Sequence, residues 1–79
     1  MSVRVRLFAA AAETVGATEV RSEAGTVTEL ISELTARGGP EVEKVLGRCS
    51  ILVDGRRAAP TQPLTGQATV DVLPPFAGG

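Results

Sequence analysis

The chain has 79 residues, eight Lys plus Arg against nine Asp plus Glu for a formal net charge of −1, and no His. A chain this short buries only about 60–65% of its unfolded surface, so it has room for a single domain, residues 1–79, and none for a deep enclosed active site. The charge balance gives no basis for binding nucleic acid or a membrane surface, the lone Cys49 excludes an intrachain disulfide, and the lack of His argues against a four-ligand zinc site.

The opening MSVRVRL holds no apolar signal core, and no apolar run approaches membrane-spanning length. Together with the single cysteine this points to the cytoplasm. Val3, Val5 and Leu7 alternate with Ser2, Arg4 and Arg6, the period of a strand with one buried face. Phe8 is expected to join the core where that strand ends. Residues 9–12 are four alanines, which favour a short helical turn that Gly16 closes. Residues 17–22 read as a second strand, in hairpin with the first. Thr26 and Glu29 have capping-box spacing and open the clearest helix. Val27, Leu30, Ile31 and Leu34 form its apolar stripe, and Gly38-Gly39 ends it. Pro40 opens a second short helix through Leu46, with Val42, Val45 and Leu46 facing inward.

Ile51 and Val53 lie on one side of a strand over 50–53, which Asp54-Gly55 turns into a hairpin with 56–59. Residues 60–66 read as loop, with Leu64 as an apolar plug. Residues 68–73 form the last strand, with Val70 and Val72 on one face, and Pro74-Pro75 ends regular pairing because neither proline has an N–H to donate. A mixed sheet with one main helix across a face would bury these stripes. The first and last strands fit side by side at its centre. No nucleophile–base pair, metal cluster or phosphate loop is present, so the chain is not expected to be an enzyme by itself. Arg4, Arg6, Arg56 and Arg57 read as solvated strand positions, and Cys49 as a buried or idle thiol.

The remaining composition break is the tail, residues 74–79: Pro74-Pro75-Phe76-Ala77-Gly78-Gly79. It has one large anchor, Phe76, then side chains of minimal size, and fully extended it reaches about 20 Å. Such a tail suits a narrow channel in another protein. Its reactive group would be the α-carboxylate of Gly79. Such a group is ionised at neutral pH and is a poor electrophile until activated.

The chain resembles the sulfur-carrier proteins of the ubiquitin superfamily, and within them the molybdopterin synthase small subunits. The resemblance spans the whole chain. It rests chiefly on Val70-Asp71-Val72-Leu73-Pro74-Pro75-Phe76-Ala77-Gly78-Gly79, with support from Val3-Arg4-Val5-Arg6-Leu7-Phe8-Ala9 and Ile51-Leu52-Val53-Asp54-Gly55. It implies an α+β, ubiquitin-like β-grasp fold with a flexible C-terminal Gly-Gly tail. It implies that Gly79 is adenylated by a ubiquitin-activating-like adenylyltransferase that uses ATP, with no cofactor bound to the carrier itself. Gly79 would then be thiocarboxylated with sulfur from a donor protein. The tail would enter the large synthase subunit, in a heterotetramer, and give sulfur to cyclic pyranopterin monophosphate in molybdenum cofactor biosynthesis. Pro74, Pro75, Phe76, Ala77 and Gly78 would be the partner-binding residues. Relatives often carry Gly-Asp-Glu-Val before the last strand where this chain has Gly66-Gln67-Ala68-Thr69-Val70, a loss of two acids expected to alter an edge contact. Other readings of the same tail are a carrier for thiamine, cysteine or tRNA thiolation, a ubiquitin-like protein modifier, and an interaction domain with an unreactive tail. Pro74-Pro75 favours the molybdopterin reading, because thiamine carriers resemble a shorter tail without that pair.

Overall fold

The alternation at the N-terminus builds the strand it predicts. In the computed structural model, which describes residues 2–75, β1 runs Val3–Leu7, and Val3, Val5 and Leu7 are all buried. It is followed by α1 (Ala10–Val15), β2 (Glu19–Ser22), α2 (Val27–Gly38), α3 (Pro40–Leu46), β3 (Ser50–Val53), β4 (Arg56–Arg57) and β5 (Thr69–Leu73). The five strands form one mixed sheet in the order β2-β1-β5-β3-β4. β1 and β5 pair in parallel at the centre, with Val5 beside Val70 and Leu7 beside Val72. The other three ladders are antiparallel. This is the ubiquitin-like β-grasp.

One face of the sheet is covered. Val3, Val5 and Leu7 of β1, Val20 of β2, Ile51 of β3 and Val70 and Val72 of β5 form one cluster with Val27, Leu30 and Leu34 of α2 and Val42 and Leu46 of α3. Ile31 and Val45, expected to face inward, are only partly buried at its margin. Leu64 is 8% exposed, as the plug reading requires.

The start of α2 shows how the loop before β5 is held. Thr26 Oγ1 accepts from Glu29 N–H at 3.2 Å, and Glu29 Oε1 accepts from Gly25 N–H at 2.8 Å. The Val27 and Thr28 N–H groups, unpaired within the helix itself, donate to the carbonyls of Gln62 and Pro60 at 3.1 and 3.0 Å. The loop thus caps the helix and seats Leu64, whose N–H donates to Gly25 O at 2.9 Å.

The structure corrects several expectations. Phe8 is not core: it is 40% exposed. The parity of β1 sets this, since odd positions point to the helices and Phe8, an even one, continues the outer row of Arg4 and Arg6. The second strand begins at Glu19 rather than at position 17, and its inward residues are Val20 and Ser22. The buried Ser22 hydroxyl is satisfied by Glu33 Oε1 and Ala24 N–H, each at 3.0 Å. β4 is only two residues long, although Ala58 N–H still donates to Ile51 O at 2.9 Å. The altered segment before β5 touches no edge, because β5 lies between β1 and β3. Within that segment Gln67 holds a φ of 85°. Ala68, next to it, is buried.

Candidate functional site

Because β1 and β5 are parallel, Leu7 and Leu73 finish at the same end of the sheet, and the chain leaves there through Pro74 and Pro75. The Phe8 N–H extends the ladder with a bond to Val72 O at 3.3 Å. Beyond it Ala9 turns the chain into α1 with φ 50° and ψ −125°, a conformation natural to glycine and strained for any other residue. The root of the tail is therefore fixed on the central strand pair, beside a tight turn.

Two surfaces meet at this exit. The first is the uncovered face of the sheet. Register places Arg6, Asp71, Leu52 and Arg57 in one row across it, and Leu73 opposite Ser50 in the next. Arg6 and Asp71 bond in bidentate fashion across the central pair, Nε to Oδ1 at 2.6 Å and Nη2 to Oδ2 at 2.9 Å. The hydrogen bond and the charge of Asp71 together raise the Arg6 pKa further above its already high value. The Arg6 guanidinium also sits 6.0 Å from the centroid of the Phe8 ring, within cation–π range. A fixed cation, an exposed aromatic ring and the half-exposed Leu52 and Leu73 thus lie beside the tail root.

The second surface is a groove between the tail root and the helices. Pro74 and Pro75 line it with Ala10 of α1 and with Glu41, Lys44, Val45 and Arg48 in and just after α3. Lys44 and Arg48 are exposed and make no ion pair among the described residues. Lys44 lies in the last turn of α3 and Arg48 in the turn that follows it, and nothing in the sequence connects either to the tail. Cys49 follows on. Its thiol donates to Val45 O at 3.1 Å, and burial pushes its pKa up.

Of the residues singled out from the sequence, the structure brings Pro74 and Pro75 to this exit, whereas Phe76, Ala77, Gly78 and Gly79 lie outside the described residues. Among the described residues no group of three or more His, Cys, Asp or Glu is placed to hold a metal, and no helix is long and apolar enough to cross a membrane. The described part of the site is therefore a strand-anchored exit with an exposed aromatic ring on the open sheet face beside it. The sequence from residue 5 to residue 79 matches the ThiS family. The chain belongs to that family of ubiquitin-like sulfur carriers. Small carriers of this type are in general not catalysts themselves.

Solved structures agree along the full length. SAMP1 from Haloferax volcanii is 27% identical with a TM-score of 0.84, the match covering 100% of both chains. A candidate molybdopterin converting factor subunit 1 from Pyrococcus furiosus is 28% identical with a TM-score of 0.81, over 96% of this chain and 99% of that one. A chain in the complex of subunits 1 and 2 of the molybdopterin-converting factor from Helicobacter pylori 26695 is 25% identical with a TM-score of 0.74, over 100% of both. No curated protein sequence matches this ThiS-family chain significantly.

Proposed function

We propose that this ThiS-family carrier is the sulfur-donating small subunit of a molybdopterin synthase. The observation that carries the reading is the exit itself: the central strand β5 runs straight into Pro74-Pro75, ahead of Phe76-Ala77-Gly78-Gly79. The prolines restrict the root of the tail, which lowers the entropy lost when it enters a partner's channel. Gly78 and Gly79 let the backbone pass where no side chain would fit. The likeness to subunit 1 of the molybdopterin-converting factor, solved in complex with subunit 2, supports a large-subunit partner for this chain.

In this reading a ubiquitin-activating-like adenylyltransferase joins the Gly79 carboxylate to AMP from ATP, releasing pyrophosphate. Hydrosulfide delivered by a donor protein attacks the Gly79 carbonyl carbon, the bond to AMP breaks with AMP taking the electron pair, and a thiocarboxylate remains at Gly79. The tail then enters the large subunit, and the thiocarboxylate sulfur attacks cyclic pyranopterin monophosphate. The carrier supplies reach, narrowness and docking. Phe8, Leu52 and Leu73 on the open sheet face, with Phe76 in the tail, form the docking anchors. The partners supply the catalytic side chains, in keeping with a chain that has no His.

A second reading is favoured by the likeness to SAMP1, a small archaeal modifier protein. There Gly79 would end in an isopeptide bond to a lysine of another protein. The two readings part in one experiment. The thiocarboxylated chain is mixed with a large synthase subunit and cyclic pyranopterin monophosphate, and the pterin product is analysed. Formation of the dithiolene, with Gly79 returned to a carboxylate, supports the synthase reading. No dithiolene, with Gly79 recovered in isopeptide bonds to proteins of the source cell, establishes the modifier in its place.

A further inference from the structure

Of the eight basic residues seven are arginine, and Lys44 is the only lysine. It is exposed, and it lines the groove at the tail root with Pro74 and Pro75. The four residues that follow Pro75 span at most about 14 Å, enough to bring Gly79 back over that groove. The arginines do not compete as acceptors, because a guanidinium stays protonated in proteins. Cys49 is half-buried and its thiol is engaged with the Val45 carbonyl. The start of the chain is remote: β1 is parallel to β5, so Ser2 lies beside Gln67 and Thr69, at the opposite end of the sheet from Pro74.

We propose that Lys44 captures the activated Gly79 of its own chain, closing an intramolecular isopeptide that withdraws the carrier from sulfur transfer when no sulfur arrives. The inference rests on the reading that Gly79 is activated as an acyl-adenylate. In the step, the unprotonated Lys44 Nζ attacks the Gly79 carbonyl carbon. The C–N bond forms, the bond to AMP breaks, AMP leaves with the electron pair, and the amine gives one proton to solvent. Nothing is oxidised or reduced. Tethering keeps the acceptor at an effective concentration of about millimolar whatever the protein concentration. Sulfur transfer and self-capture therefore compete for one intermediate.

The test installs a thioester at Gly79 chemically, so that no activating enzyme is needed, and follows intact mass at mildly alkaline pH. The expected product is a monomer that has lost the thiol without gaining water. Its rate should be first order and independent of protein concentration, and peptide mapping should show a Lys44–Gly79 link. In Lys44→Arg the thioester should be lost chiefly by hydrolysis, with capture reduced at least about tenfold. Adding Arg48→Lys to that variant returns an amine to the same groove and should restore capture. Adding Arg21→Lys instead places it at the far end and should not. Equal loss of thioester in the wild type and Lys44→Arg, a link to the N-terminal amine, or links only between chains would overturn the proposal. Those results would leave enzymatic thiocarboxylation of Gly79 untouched, and failure of thiocarboxylation would leave this chemically driven reaction untouched.

Discussion

At the scale of single residues, Phe8 separates stability from function. The residue is 40% exposed, and its ring lies beside the Arg6 guanidinium. Phe8→Ala should change unfolding free energy by no more than about 0.5 kcal/mol, as for other surface positions. The same change should weaken binding to the proposed large-subunit partner by at least about 1 kcal/mol, the scale of an aromatic anchor. Denaturant titration and calorimetry of the complex measure the two. A loss of stability without a loss of binding would return Phe8 to the core. Cys49 makes an opposite case, a reactive residue type kept quiet. Because burial raises its pKa, less thiolate is present at pH 8 than on an ordinary cysteine, and alkylation by iodoacetamide should be slower than for free cysteine. Misplacing Phe8 had a plain cause. Hydrophobicity pointed inward while strand parity pointed outward, and parity won because the Val72 carbonyl extends the ladder to the Phe8 N–H.

At the scale of elements, most boundaries were legible because each had a local chemical cause. Thr26 with Glu29 marked the start of α2, Asp54-Gly55 marked the turn between β3 and β4, and Pro74-Pro75 marked the end of β5. What was not legible came from distant partners. Asp54 and Gly55 take φ values of 51° and 83°, as the turn demands. Asp54 is also tied to β5, its N–H donating to Thr69 O at 2.8 Å and its Oδ1 accepting from Thr69 N–H at 3.0 Å. No local pattern reveals that bond. The junction of α2 and α3 is similar. Gly38 reads simply as a helix stop, yet a Cβ there would run into the Val42 side chain, which is fully buried. Gly38→Ala should therefore destabilise the fold by about 1–3 kcal/mol, the usual cost of overpacking, despite the better helix propensity of alanine. Gln67→Gly should act the other way. It relieves a positive φ next to β5 and should raise stability by up to about 1 kcal/mol, since the left-handed region costs an ordinary side chain about 1–2 kcal/mol and glycine gives part of that back in chain entropy. Thermal denaturation of both variants reads the signs directly.

At the scale of the whole molecule, the parallel pairing of β1 with β5 decides where everything functional sits. It brings Phe8, the α1 turn and the tail root to one end of the sheet and sends Ser2 to the other. The order of the elements suggested this pairing, and the ladder establishes it. The proposed tail chemistry rests on composition, small residues after a proline pair, because residues 76–79 lie outside the described residues. The groove shared by Lys44, Arg48 and the prolines was not legible in the sequence, because it forms between α3 and the two prolines that follow β5, segments distant in the chain.

The central claim is that the working group of this carrier is the carboxylate of Gly79. The most direct test incubates the protein with ATP, a sulfur donor and a desalted extract of its source cells, and records intact mass. A variant with one extra residue after Gly79 runs beside it. The account predicts a mass gain equal to the exchange of one oxygen for sulfur, localised to Gly79 and absent from the extended variant. No gain in the wild type, in an extract shown to thiocarboxylate another carrier, or an equal gain in the extended variant, would contradict it.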